Sequence, residues 1–225
     1  MIRTTSLLAA FLILAVSAGC KYEKGSADYA AAKAGEKPAE TAYTGPAKVG
    51  APAPDFKLSD TDGKQHELKS YLAAGKTVVL EWFNPDCPYI VKHHLNHSTM
   101  NDLYNATKGR DVVWLAINSG APGKQGNGLE RNRAAREEYG MEFPILIDED
   151  GRVGSMYAAK TTPHMFVIAP TGELLYQGAI DNNKTPSTLG DVNYVKAALD
   201  QCLEGKTVQI TETQPYGCSV KYASK

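Results

Sequence analysis

The chain has 225 residues, 43% hydrophobic and 22% charged, with 24 Lys and Arg against 25 Asp and Glu. These fractions are those of a globular protein and exclude a fibre, a multi-span membrane protein and a wholly disordered chain. Without a basic excess there is no electrostatic reason to expect nucleic acid, and four Cys are too few to staple a chain this long, so a hydrophobic core must hold it.

Residues 1–20 read MIRTTSLLAAFLILAVSAGC. Arg3 precedes an apolar run from Leu7 to Val16, then Ser17, Ala18 and Gly19, which is the layout of a secretory signal and is too short to span a bilayer comfortably. Cys20 after Ala-Gly resembles a bacterial lipobox, with Ser17 where Leu is usual. That resemblance implies removal of residues 1–19, lipidation at Cys20, and a membrane-anchored lipoprotein of the bacterial cell envelope facing the periplasm or exterior. Ordinary cleavage or an uncleaved anchor is the alternative. From Lys21 to Lys48 the chain holds no Leu, Ile, Phe or Trp. Such a segment cannot bury enough apolar area to offset its ordering entropy, so residues 20–47 read as a solvated tether.

From Val49 onward strand-like and helix-like pieces alternate. Asp55–Ser59 and Gln65–Leu68 flank Asp62-Gly63, a hairpin turn signal. Ser70 is placed to cap a short helix to Ala74. Lys76–Phe83 reads as a buried strand, Pro88 to about Thr107 as one helix, and Asp111–Asn118 as a second buried strand. A Gly-rich stretch, Gly120–Gly128, reads as a flexible surface loop before a charged helix, Leu129–Tyr139. It lacks the Gly-Lys-Ser/Thr end of a phosphate loop. Pro144–Ile147 and His164–Ala169 follow as strands. The turn Pro170-Thr171-Gly172 leads to an antiparallel partner, Glu173–Ile180, and the last helix spans about Asp191–Leu203. This order predicts an α/β domain over residues 48–212, a mixed β-sheet flanked by helices with an N-terminal β-hairpin extension, and a Cys-containing tail over 213–225.

The chemistry concentrates at Cys87, where a buried strand has ended and Pro88 suits the first helical position. A thiol there faces unpaired backbone N–H groups and the positive end of a helix, both favouring thiolate, while the neighbouring Asp86 opposes it by charge. A buried structural Cys is the bland alternative. Glu81 alternates on its strand away from Leu80 and Trp82, so it can lie beneath Cys87. Cys202 shares an apolar helix face with Val192, Val195, Leu199 and Leu203 and reads first as a small core hydrophobe. Cys218 stands in the tail, preceded by Gln214-Pro215-Tyr216-Gly217, in no obvious core element. A Cys87–Cys218 pair, a Cys202–Cys218 staple and unpaired thiols all remain open.

Three pieces of sequence resemble the thioredoxin-like superfamily, in particular its redoxin branch, related to alkyl hydroperoxide reductase and thiol-specific antioxidant proteins. VVLEWFNPDCPY holds Cys87 at the position of the thioredoxin active site. Thr161-Thr162-Pro163-His164 resembles the superfamily's Thr-Pro, whose cis-proline faces the redox Cys. VGAPAPDFKLSDTDGKQHEL resembles the N-terminal hairpin of redoxins, and the terminal PYGCSVKY is similar to a subgroup of secreted redoxin-domain proteins. The resemblance covers about residues 48–205. It implies a thioredoxin-like fold, and a thiol-disulfide oxidoreductase or thiol-dependent antioxidant with no cofactor. Cys87 is then the nucleophile, Glu81 the buried acid, and Thr162 and Pro163 the docking face. Its partners are a disulfide-bearing protein or peroxide substrate and an external thiol reductant.

The chain departs from the pattern in two ways. The second thioredoxin Cys falls at Ile90, so a resolving thiol must come from elsewhere, with Cys218 the candidate. The peroxiredoxin Thr and Pro are also missing, Asn84 and Pro85 standing near their places. His93, His94 and His97 follow Cys87 on the predicted helix and raise a second reading, a copper or other metal chaperone. The superfamily's copper chaperones, however, carry a two-Cys loop that is absent here, and the histidines read as solvated or partner-facing, with no metal site. A non-catalytic thioredoxin-fold binding module is the third reading.

Overall fold

The structure, a computed structural model, describes residues 45–224. The expected signal peptide, Cys20 and nearly all of the tether lie outside the described residues. Among the described residues no helix is long and apolar enough to cross a membrane.

Seven strands form one mixed sheet. The hairpin strands β1 (Lys57–Asp60) and β2 (Gln65–Glu67) turn at Gly63 and lead into helix α1 (Leu68–Ala73). Strand β3 (Thr77–Trp82) is buried along its whole length. It is followed by α2 (Pro88–Val91), a π turn (Lys92–Asn96) and α3 (Thr99–Thr107). Strand β4 (Val112–Asn118), helix α4 (Leu129–Glu138), strand β5 (Ile145–Ile147) and helix α5 (Arg152–Met156) come next. The remainder is β6 (Thr161–Thr162), β7 (Met165–Ile168), β8 (Leu174–Gly178), α6 (Tyr194–Leu203) and β9 (Cys218–Ser219). The sheet order is β2-β1-β5-β4-β3-β7-β8, with β3, β4 and β5 parallel and the other neighbours antiparallel.

Strand alternation divides the core. Val78, Leu80 and Trp82 face Phe56, Leu68, Val153 and Tyr157, so α1 and α5 cover that side. Val79 and Phe83 face Ile90, Leu103, Ala135 and Leu199, so α2, α3, α4 and α6 cover the other. The sheet flanked by helices and the hairpin extension are therefore as expected.

Four local expectations are corrected. Ser70 lies inside α1, whose N-cap is Glu67, and donates to the Glu67 carboxylate at 3.2 Å. The helix expected over Pro88–Thr107 is broken at Ser98, which takes φ 52. The glycine-rich loop is pinned: Asn118 and Asn132 both donate to the Gly126 carbonyl, at 2.8 and 3.1 Å, and Asn84 donates to that of Gln125 at 3.2 Å. The tail is seated. Thr211–Thr213 runs beside β8, with Gln177 N donating to Thr211 O and Thr213 N to Gln177 O. Further on, Val220 N donates to Lys160 O and Ala121 N to Lys221 O.

Candidate active site

The buried run of β3 delivers the chain to a turn at the C-terminal end of the sheet. Asn84 Oδ1 accepts from Asp86 N at 2.9 Å and Tyr139 donates to Pro85 O at 2.6 Å, fixing the turn before Cys87. Cys87 is the N-cap of α2, with Pro88 at the first helical position, and is fully buried. The charge of Asp86 is met by Arg131 of α4, whose Nη2 lies 2.8 Å from its carboxylate. That counterion is 45 positions away and was not foreseen.

Across from Cys87 the peptide Thr162–Pro163 is cis. Cys87 Sγ donates to Thr162 O at 3.0 Å. Strand β9 pairs antiparallel with β6 so that Cys218 stands opposite Thr162, and the Cys218 thiol lies alongside that of Cys87. Burial, then the hydrogen bond and charge of Cys87, push the Cys218 thiol up to about 12, against a smaller lowering by Lys221. Cys202 is elsewhere. Its Sγ lies 3.8 Å from Thr77 Oγ1, at the start of β3, and burial raises its thiol. The structure thus brings Cys87, Thr162, Pro163 and Cys218 together and leaves Cys202 at the other end of the sheet.

Glu81 sits on the same face of β3 as Val79 and Phe83, the face that packs with Cys87. Its two carboxylate oxygens accept from His94 Nε2 at 2.9 and 3.0 Å, both side chains being buried. The expectation of solvated histidines is therefore corrected for His93 and His94. The π turn inserts one extra residue into the helical repeat, and Lys92, His93 and His94 are all buried in succession because the sheet lies on one side and the tail on the other. His97 Nε2 donates to Ser187 O at 2.9 Å.

Tyr216 of the tail provides the outer contact. Its hydroxyl donates to Asp181 Oδ1 and accepts from Lys92 Nζ at 3.2 Å and from His93 Nε2 at 3.1 Å. A hydroxyl has one proton, so His93 must carry its proton on Nε2, leaving Nδ1 as a buried lone pair without a partner among the described residues. Burial and the neighbouring Lys92 hold His93 down at about 3, so it is neutral. Lys92 itself is lowered by burial while Asp181 opposes the shift, and it also donates to Asn183 O at 2.7 Å. The Nε2 atoms of His93 and His94 are engaged by Tyr216 and Glu81. Among the described residues, no group of three or more His, Cys, Asp or Glu is arranged for a metal ion.

Lys92, Asp181 and Tyr216 were missed by sequence reasoning. A Lys on an expected solvent face carries no signal of burial. Two tyrosines bracketing a Cys in a polar tail was the one available hint that the tail docks.

Comparison with known proteins follows the same outline. A family model described as Redoxin matches residues 48–199. The thiol-disulfide oxidoreductase ResA of Geobacillus thermodenitrificans is 34% identical over 126 residues, which are 56% of this chain and 66% of that protein. The ResA of Bacillus subtilis is 28% identical over 148 residues, 65% of this chain and 75% of its own. Among solved structures, a hypothetical protein of Sinorhizobium meliloti superposes with a TM-score of 0.72 at 27% identity, covering 80% of this chain and 97% of that one. An uncharacterized conserved protein of Geobacillus kaustophilus gives 0.70 at 27% identity, covering 79% and 94%.

Proposed function

The chain belongs to the Redoxin family, and from that premise we propose that it is a thiol-disulfide oxidoreductase of the bacterial envelope, tethered by lipid at Cys20, with Cys87 as nucleophile and Cys218 as resolving thiol. The relatives named for this activity are matched over 66% of their length in the first case. The observation that carries the reading is the meeting of two thiols at the cis-Pro163 turn.

The Cys87 thiolate attacks one sulfur of a substrate disulfide. A Cys87–substrate mixed disulfide forms, and the other substrate sulfur leaves as a thiolate that takes up a proton. Cys218 then attacks the Cys87 sulfur. The Cys87–Cys218 disulfide forms, the second substrate sulfur leaves, and the substrate has gained the two electrons the protein dithiol has lost. An external thiol reductant returns the pair to the reduced state by the same exchange.

The order of the causes acting on Cys218 suits this sequence. Part of what raises it is the hydrogen bond and charge of the Cys87 thiol. Once Cys87 is in a mixed disulfide those contributions vanish, so Cys218 becomes easier to ionise at the step that needs its thiolate. Glu81, held by His94, is the buried acid available to exchange protons on this face. Thr162 and Pro163 form the edge against which substrate backbone rests.

The test is disulfide mapping by mass spectrometry after the reduced protein meets a limiting disulfide substrate. A Cys87–Cys218 bond with a stoichiometric yield of reduced substrate is the expected result. Substrate left oxidised, with both thiols free, would end the reading.

A further inference from the structure

Residues 214–222 are held at two points on either side of Cys218, and neither point is needed merely to supply a thiol. Upstream, Tyr216 fills a polar pocket where its hydroxyl has three partners, Asp181, Lys92 and His93, and its ring meets Tyr89 edge-on at 5.7 Å. Downstream, Tyr222 lies against Gly154, where a Cβ would collide with its hydroxyl, and donates to Ala159 O at 3.0 Å. Between them the β6–β9 ladder pairs two residues, and beyond it Val220 N donates to Lys160 O and Ala121 N to Lys221 O, so the segment lies on the domain as an extended strand. Gly217 crosses it at φ +141, and any Cβ there would strike Thr162 O, the acceptor for Cys87 Sγ. The site therefore takes an extended backbone with a phenol in the pocket, a glycine at the crossing and a cysteine opposite Thr162.

Nothing in these contacts requires the occupant to be part of the same chain. With the tail lifted, Lys92 retains Asn183 O and Asp181, and Asp181 Oδ1 retains Asn183 N, while the His93 Nε2 proton and the Oδ1 lone pair that takes the phenol proton lose their partner. That is a donor and an acceptor spaced for one hydroxyl. A short ladder at the edge of two-residue β6 is also the kind of pairing that another strand can replace.

We propose that the β6 edge and the Tyr216 pocket form a docking site for extended polypeptide segments that carry an aromatic hydroxyl two residues before a cysteine, and that residues 214–222 are its resident occupant, which a target must displace. The proposal deepens the exchange reading and rests on it for the purpose of the docked cysteine. Its test needs no chemistry. A fluorescent peptide of sequence Gln-Pro-Tyr-Gly-Ser-Ser-Val-Lys-Tyr, thiol-free, is titrated by anisotropy into the full chain and into two variants that loosen the tail outside the pocket, Gly217→Val and Tyr222→Ala.

A resident occupant lowers apparent affinity by the fraction of time it is away. Both variants should bind the peptide at least about tenfold more tightly than the parent, and a peptide with Ala in place of its first Tyr should lose that gain. Equal binding by parent and both variants, or undiminished binding of the Ala peptide, would overturn the proposal. Peptide binding in a chain that never exchanges disulfides would uphold the site while removing the exchange reading.

Discussion

The two ends of β3 place two partly buried thiols in opposite circumstances. At the N-terminal end, Cys202 has Thr77 as its polar neighbour, and burial raises its thiol. At the C-terminal end, Cys218 is also raised by burial, but its neighbour is the thiol of Cys87. The strand between them is six residues, ~16 Å, so no side-chain rotation carries Cys202 to Cys87. Burial alone does not set the two thiols apart; the partner that the topology brings alongside does.

The largest expected contrast comes from removing the proposed nucleophile. Cys87→Ser should lower disulfide turnover by about a thousandfold or more, and Cys202→Ser should leave it within about twofold, both read in a reductant-coupled assay. Comparable losses in the two variants would erase the difference between the ends. Next is Cys218→Ser. Without added thiol it should slow turnover by about 10–100-fold, with Cys87–substrate adducts accumulating in mass spectra. Normal cycling of that variant would transfer resolution to an external thiol.

A smaller effect is expected beneath the site. Glu81→Gln should cost about tenfold in turnover; unchanged turnover would reduce Glu81 to a packing partner of His94.

The mildest comparison is one of stability. His164, next to Pro163, is held at about 3 by burial and by Lys160, against 6.5 for a free imidazole. Between those values the unfolded chain binds the extra proton. Its contribution is therefore intact above about pH 6.5 and is lost as pH falls toward 3. His164→Phe should flatten denaturation midpoints across that window, whereas Cys202→Ala at the other end should shift them by an amount independent of acid. Parallel pH curves for wild type and His164→Phe would show that His164 does not titrate with folding.

The strand–turn–helix around Cys87 was legible because its signals are local: a run of apolar residues, a turn, and a proline suited to the start of a helix. Glu81 could be assigned a face from alternation alone. The tail could not be read in this way. Its partner Thr162 is 56 positions from Cys218, and two residues of ladder leave no pattern in a polar segment. The helix after Cys87 misled for a related reason. Lys92, His93 and His94 are polar and consecutive, which describes a solvated surface unless another piece of chain covers it, and here Tyr216 does. Asn84, Asn118 and Asn132 stand at a turn, a strand end and a helix, so no local pattern links them, though together they clamp the Gly126 region.

The two extremities of the described chain converge on one short stretch. Ala47 N donates to Met156 O and Tyr222 donates to Ala159 O, three residues further on. A circular permutant joining them through a brief linker would therefore place little strain on the rest of the domain. In such a chain the segment bearing Cys218 would be tied at both ends. It would leave Cys87 only by bowing outward as a closed loop, which makes access to Cys87 a matter of loop length.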